Sequence, residues 1–428
     1  MTSSRLELPA GQNWSCHGCT DCCRNQRLVT LSEAEQEQIE RQGWTLADGV
    51  DPSRMIVPGR NHSRLGHQAD GACMFLDASG RCRIHAKFGE AAKPLACRLY
   101  PFLIHPAGKK VFVGLRFSCP SAAANRGRGL ADHATEVARL VPDVLPAGCE
   151  VLPPPAVAAT PGLDWTDFLR FVRWLEVSLR EEKVPVALKL LRALRWLESA
   201  ERGYLDQIEG ESADEILEAL VRRSREKVPA LPSPAQSPSR FGRLFLRLLV
   251  LEHARRPTVG DQQVRSAHRW KMLEDAFRFV VASARTPAVR EEFKRVEFAE
   301  IERPFGPLPA AAEALLDRYF QVKVQSLQFC GKGFHDCSLI EGFRNLALMY
   351  PVILCLSRWL AAGDGRAGLS EADVLKAVSI ADHQYGVAPY VAWRTRLLHQ
   401  RDDITRLCAW YGGTAAGQTP PSDMAAIL

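Results

Sequence analysis

Cys16-His-Gly-Cys19-Thr-Asp-Cys22-Cys23 is the stretch that decides the first part of this fold, because it places four cysteines within eight residues. In a Cys-x-x-Cys step, a tight turn lets two sulfurs face one metal. Gly18 relaxes the backbone inside that turn, and Cys22 adds a third sulfur at the same spacing. The adjacent Cys23 is suited to a second metal atom or to another face of a larger cluster.

Further cysteines continue this pattern along the early chain. Of the 13 cysteines in 428 residues, eight precede residue 120: Cys16, Cys19, Cys22, Cys23, Cys73, Cys82, Cys97 and Cys119. The N-terminus shows no apolar core of an export signal. In a large chain without an export signal, a high density of cysteines indicates metal ligation or redox chemistry in a reducing compartment, rather than a disulfide framework. We therefore expect a cytoplasmic protein.

The number of thiols narrows the kind of metal centre. Eight exceed what one tetrahedral zinc site can use, so two sites or one polynuclear cluster with spare cysteines fit better. Iron–sulfur clusters commonly take cysteines grouped in sequence plus a remote ligand, whereas structural zinc more often shows two Cys-x-x-Cys knuckles. Only one compact knuckle is present, which favours iron–sulfur and leaves zinc as the alternative. A redox-active thiol pair is a third interpretation.

Several motifs together carry a resemblance to a known family. Cys73-Met-Phe-Leu, Cys82-Arg-Ile-His and Cys97-Arg-Leu-Tyr-Pro-Phe102 follow the knuckle, and with it they resemble the bacterial cysteine-cluster family of zinc- or iron-chelating domains, over about residues 14–122. Cys119-Pro120 is similar to a late Cys-Pro step of that family, although Ser121 stands where glycine is usual. The resemblance implies metal-ligand roles for the motif cysteines.

Part of that family is labelled flagellin N-methylase, after an enzyme that methylates flagellin lysines and is linked to an iron–sulfur cluster. The resemblance thus implies a protein substrate similar to flagellin and S-adenosylmethionine as a cofactor. The residues themselves do not add a cofactor motif. The glycine-rich match Gly363-Asp-Gly365-Arg-Ala-Gly368 lacks the preceding strand that a nucleotide-binding turn requires, and its setting predicts a turn between helices.

Composition and periodicity predict the architecture. Ser32-Glu-Ala-Glu35 is a capping box that opens a helix to about Gln42, and the Pro106-Ala-Gly-Lys109 stretch predicts a hairpin turn. From residue 165 onward, apolar residues such as Phe168, Phe171 and Leu175 recur at helical spacing. We predict an α+β metal-binding domain over residues 1–130, a Pro-rich linker over 131–164, and a mostly α-helical domain over 165–428 with a break at 228–240. The fold is α-dominated overall.

The remaining signals exclude or discount other classes of function. The net charge of +6 includes no basic block, so we expect no nucleic-acid partner. The apolar run from Leu346 to Leu356 is shorter than the ~20 residues of a membrane span, so it predicts a buried helix and no membrane partner. Cys330-Gly-Lys-Gly-Phe-His-Asp-Cys337 interrupts helical residues, which favours a helix-to-helix turn with incidental cysteines. The oligomeric state has no signature in the sequence.

These inferences leave three functions open. The first is metal-cluster binding in a protein that methylates lysines of another protein. The second is a non-enzymatic interaction module stabilised by zinc, and the third is a thiol redox sensor.

Overall fold

The structure is a computed structural model that describes residues 5–25, 29–59, 62–159, 162–203, 208–232, 237–255, 285–303, 305–386, 397–399 and 402–412, together with residues 274, 277 and 279. A small α+β region comes first and is followed by a helical region, and helices dominate the whole. The predicted fold class is therefore confirmed. No finding tests the predicted domain boundaries, which stay a prediction. We call residues 5–130 the head and residues 165–412 the body.

The strands of the head form three small sheets. Their bounds are β1 Arg5–Glu7, β2 Asn13–Trp14, β3 Thr30–Leu31, β4 Ile56–Val57, β5 Ser63–Leu65, β6 Phe102–Ala107, β7 Lys110–Leu115 and β8 Arg128–Gly129. The sheets have the orders β1-β7-β6, β2-β8 and β3-β5-β4. Only β1 and β7 pair in parallel; the other pairs among the described strands are antiparallel.

The longest ladder is the β6–β7 hairpin, which confirms the predicted turn. Pairing runs from Phe102 opposite Leu115 to Ala107 opposite Lys110. Gly108 takes a left-handed backbone, with φ of 60°, inside the two-residue turn, which is a conformation that glycine adopts at no steric cost. Alternate residues of β7 face different cores: Val113 packs within the head, and Phe112 packs with the body.

Short helices connect the strands of the head and lead out of it. Their bounds are α1 Asp21–Asn25, α2 Glu33–Arg41, α3 Arg83–Phe88, α4 Leu95–Leu99, α5 Pro120–Ala123 and α6 Ala134–Val144. The capping box that opens α2 is confirmed, since Ser32 Oγ accepts from the Glu35 N–H and the Glu35 carboxylate accepts from the Ser32 N–H. The helix ends at Arg41, with Gln42 as its C-cap.

The body is an assembly of longer helices. Their bounds are α7 Trp165–Leu179, α8 Val186–Arg202, α9 Glu211–Lys227, α10 Arg240–Ala254, α11 Phe298–Glu302, α12 Ala310–Gln325, α13 Leu339–Gly363, α14 Glu371–Gln384 and α15 Asp403–Gly412. The glycine-rich match at residues 363–368 falls between α13 and α14, as predicted for an interhelical turn. The segment of residues 330–337 connects α12 and α13, as also predicted.

Helix α13 is the central helix of the body and contains the predicted buried run. Within the described residues, it is the one helix long and apolar enough to cross a membrane, judged by length and composition alone. However, 89% of its most apolar window is buried inside the protein. That burial is the property of a core helix and confirms the prediction of a buried helix.

Head and body meet around a buried charge pair. Lys323 Nζ on α12 lies 2.6 Å from Asp382 Oδ1 on α14, and both side chains are almost completely buried. Asp382 Oδ2 also accepts a hydrogen bond from the backbone N–H of Ser118 in the head, at 2.9 Å. The neighbouring Phe117 packs edge-on against Tyr319 of α12, with ring centroids 5.1 Å apart. The loop before α5 is therefore anchored inside the body.

The Lys323–Asp382 pair yields a stability prediction. We expect Lys323→Met or Asp382→Asn to lower the free energy of unfolding by about 3–5 kcal/mol, because each leaves one buried charge without its counter-charge. The double variant Lys323→Met/Asp382→Asn should lose less than the sum of the two single losses. Urea titrations of the four proteins measure the coupling. Strictly additive losses would contradict an interaction between the two side chains.

A matched exposed pair serves as the control for that experiment. Lys332 Nζ and Asp336 Oδ1 lie 2.8 Å apart, with about two thirds of each side chain exposed. Because water screens such pairs, Lys332→Met should leave the urea midpoint almost unchanged.

Candidate metal centre

The knuckle of residues 16–23 is a loop that turns into the first helical turn of α1. Gly18 and Thr20 both have a left-handed backbone, with φ of 66° and 64°. The Thr20 carbonyl accepts from the N–H groups of Cys23 at 2.9 Å and Arg24 at 3.0 Å, and so begins the helix. A left-handed β-branched residue is a costly conformation that is found mostly at functional sites. The knuckle is thus held in a strained shape.

A second segment, which runs from Cys73 to Cys82, lies against the knuckle and is hydrogen-bonded to its backbone. The Cys73 N–H donates to the Cys23 carbonyl at 2.7 Å. The turn at Gly80 lies against Thr20, since a Cβ added at Gly80 would come within 2.9 Å of Thr20 Cγ2. These two contacts bring the Cys73–Cys82 stretch next to the knuckle, although about fifty residues separate them in sequence.

The remaining interior cysteines lie on two short helices or at their start. Cys82 is the N-cap of α3, and Cys97 lies within α4. Glu35 fixes α4, because its Oε1 accepts from the Leu95 N–H at 2.6 Å while its other oxygen caps α2. Cys73, Cys82 and Cys97 all pack against the same small hydrophobic core of the head. The segments that carry these three cysteines therefore share one hydrophobic core.

Burial and neighbouring charges raise the thiol pKa values of three of these cysteines. Burial raises the pKa of Cys73 and of Cys97 to about 12, and the negative charges of the Cys82 and Cys22 thiolates add to the rise in both. The pKa of Cys22 is also raised, first by its hydrogen bond with Cys23, whose Sγ lies 3.9 Å away, and then by burial. We call Cys22, Cys73, Cys82 and Cys97 the inner group.

Two other thiols of the knuckle are exposed, and one of them affects the pKa of Cys119. Cys16 and Cys19 are exposed, whereas Cys119 is buried at the N-cap of α5. Burial raises the pKa of Cys119, and the charge of Cys19 adds a smaller rise. His17 Nδ1 lies 2.9 Å from Ser121 Oγ, which ties the knuckle to the start of α5. We call Cys16, Cys19 and Cys119 the outer group.

The donor set fits a thiophilic metal by its chemistry. All thirteen cysteines lie among the described residues, and none of them forms a disulfide. Thiolate is the ligand that zinc and iron–sulfur clusters take from cysteine, and a cation among the sulfurs would relieve their mutual repulsion. Within the described residues, no group of three or more His, Cys, Asp or Glu side chains is placed to hold a metal ion. The eight-cysteine ligand set therefore stays a prediction.

Supporting residues of this region were missed at the level of sequence. The capping box pointed to Glu35 as a partner of Ser32, but its second bond, to Leu95, joins residues sixty positions apart. Thr20 shows no signal of a left-handed backbone, because β-branched residues rarely adopt it. Only the glycine at position 18 could be anticipated from its type.

Comparison with known proteins supports metal binding by this region. Residues 15–120 match the family model named CxxCxxCC, described as a "putative zinc- or iron-chelating domain". The match spans all eight early cysteines, which are the inner group, the outer group and Cys23. Neither the curated proteins nor the solved structures contain a significant match to the chain. The resemblance to the chelating family is thereby confirmed for this segment.

The raised thiol pKa values predict proton release on metal binding. At pH 7 the Cys73 and Cys97 thiols are protonated, since the pKa of each is about 12, and a metal must displace those protons. Zinc added to the metal-free protein in weak buffer should acidify the solution. The apparent affinity should rise with pH, by about tenfold per pH unit for each proton released. An affinity independent of pH between 6 and 8 would contradict thiolate ligation.

Proposed function

We propose that residues 15–120 hold an iron–sulfur cluster through cysteine thiolates, with zinc as the alternative metal. The observation that carries this proposal is that Cys73, Cys82 and Cys97 pack against one small hydrophobic core, while the Cys73 N–H donates to the Cys23 carbonyl of the knuckle. The matched family is consistent with either metal. We assign the inner group as the first set of ligands, and Cys23 and the outer group as ligands of a second atom or site.

Iron–sulfur is favoured over zinc by number and arrangement of the thiols. One zinc ion takes four ligands, whereas residues 15–120 contain eight cysteines. The vicinal Cys22 and Cys23 present sulfurs 3.9 Å apart, which suits two atoms of a polynuclear centre better than one small ion. Such a cluster, when bound, can carry electrons or bind a substrate at an open iron. The protein residues supply the thiolates, the buried setting and the fixed backbone.

The centre would also stabilise the head. The three sheets of the head are short, and its own cores are small. Metal ligation can add ~10 kcal/mol or more to the stability of a small domain. On this proposal, the metal joins α1, the Cys73 segment, α3 and α4 into one unit.

We further propose that the whole protein acts on another protein in the cytoplasm, as a lysine N-methyltransferase related in function to flagellin N-methylase. The support is the resemblance of the cysteine motifs to that part of the family. The described body offers no strand followed by a glycine-rich turn and a helix. A methyl-donor site would therefore need a different architecture.

Metal analysis of protein purified without oxygen tests the cluster. We expect a brown protein that contains iron and acid-labile sulfide. Cys22→Ser and Cys73→Ser should lose most of the iron, because each removes a member of the inner group. Absorption near 400 nm and elemental analysis measure the loss. A colourless protein with stoichiometric zinc would support the interaction module instead, and a metal-free protein with reversible disulfides would support the redox sensor.

Cysteines outside the early chain supply the matched controls. Cys149→Ser and Cys408→Ser remove thiols that lie outside the matched segment, so they should leave the metal content unchanged. Equal losses in both sets of variants would show that the ligands are assigned wrongly.

Methyl transfer is tested separately. We expect the anaerobically purified protein to transfer label from S-adenosylmethionine to lysines of flagellin, and Cys22→Ser to abolish the transfer. Mass spectrometry of the flagellin locates the added methyl groups. A metal-loaded protein that leaves flagellin and other cell proteins unlabelled would remove the methylase proposal without affecting the metal proposal.

A further inference from the structure

A cavity of about 320 Å³, lined by none of the eight early cysteines, lies where the head, residues 152–155 and the connection between α12 and α13 meet. We call it the junction pocket. Its walls include His105 of β6, Pro154, Trp165 at the start of α7 and Cys330. Ligand pockets in proteins usually measure ~300–1,000 Å³, so this one has room for a compound of one or two rings.

The walls of the junction pocket are held by specific hydrogen bonds. The carbonyls of Ala156 and Val157 accept from the first N–H groups of α13, those of Leu339 and Ile340, at 2.9 and 3.0 Å. The Trp165 Nε1 donates to the Leu152 carbonyl at 2.8 Å. The proline-rich stretch is thus fastened at both of its ends, and the cavity beneath it is preformed.

The opposite wall is a strained segment. Leu327, His335 and Asp336 have left-handed backbones, with φ of 54°, 50° and 56°. A Cβ added at Gly333 would come within 2.3 Å of the Leu327 carbonyl oxygen. Non-glycine residues adopt this conformation at a cost in free energy and cluster at ligand-binding sites. The shape of this wall is maintained against that cost.

The polar groups in the pocket are neutral or paired. His105 Nε2 is buried and has no hydrogen-bond partner among the described residues. Burial, together with the positive charges of Lys323 and Arg116, lowers the pKa of His105 to about 4, so its ring is neutral at pH 7. Burial raises the pKa of the Cys330 thiol, which is neutral too. At the rim, Lys332 and Asp336 neutralise one another at 2.8 Å.

We propose that the junction pocket binds an uncharged aromatic or heteroaromatic ring compound, which stacks on Trp165 and forms a hydrogen bond with the ring of His105. Proline and tryptophan walls favour a planar apolar ring. A charged ligand would lose its hydration on entering the cavity and would find no opposite charge there. That desolvation costs free energy. This inference is independent of the metal centre.

Ligand-observed NMR on the full-length protein tests the chemical class. The probes are indole, adenosine and benzoate, each at concentrations up to the millimolar range. We expect saturation transfer to indole or adenosine and none to benzoate. A preference for indole would indicate a free aromatic metabolite, and a preference for adenosine would indicate a nucleoside. Absence of transfer to both uncharged probes, or equal transfer to benzoate, would overturn the proposal.

Two tryptophans of α7 provide a matched pair of variants. Trp165→Leu should weaken binding of the better probe at least tenfold, because it removes the stacking surface. Trp174→Leu removes a half-buried tryptophan from the same helix outside the pocket, and it should leave binding unchanged. Equal affinities in the two variants would overturn the assignment of the site.

A second variant covers the case in which Trp165→Leu does not fold. His105→Phe keeps a neutral ring of similar shape, so thermal unfolding should change little, while probe binding should weaken at least threefold. Binding that is unaffected by His105→Phe would contradict the role of the imidazole.

Discussion

The buried carboxylate of Asp382 is the constraint on which the arrangement of the two regions depends. It neutralises the ammonium of Lys323 inside the body and accepts the N–H of Ser118 from the head. Ser118 directly precedes Cys119, and its hydroxyl lies 3.3 Å from the Tyr100 hydroxyl. Cys119 of the outer group is therefore next in sequence to a residue that is bonded directly to the body. Head and body are thus parts of one packed structure, joined by a charge that water does not reach.

The segments that carry the inner group are positioned by contacts that need no metal. The backbone bond from Cys73 to Cys23 and the two-sided role of Glu35 position three segments before any ion binds. The thiols must lose their protons before they bind a metal, and the thiolates so formed would repel one another in this buried setting. A bound cation reverses the sign of that interaction. Packing of the polypeptide would therefore position the segments, and the charge of the metal would hold the thiolates together.

Local patterns could be predicted from the sequence, and long-range contacts could not. The Ser32–Glu35 capping box, the hairpin around Gly108 and the buried α13 follow from short-range propensity and apolar periodicity, and all three are observed. The early cysteines indicated metal chelation because their residue type and spacing are specific. The contact of Ser118 with Asp382 and the contact of His17 with Ser121 depend on tertiary packing between residues more than one hundred positions apart. No periodicity carries that information.

The alternation of side chains along β7 has a consequence for how this chain can vary. Val111, Val113 and Leu115 face the core of the head, while Phe112 faces the core of the body. A strand exchanges its two faces when its register moves by one residue. An insertion or deletion of a single residue within β7 would turn the side chains of the head core toward the body core, and those of the body core toward the head core. Natural changes of length should therefore accumulate in the hairpin turn or outside the strand, and β7 should vary by substitution only.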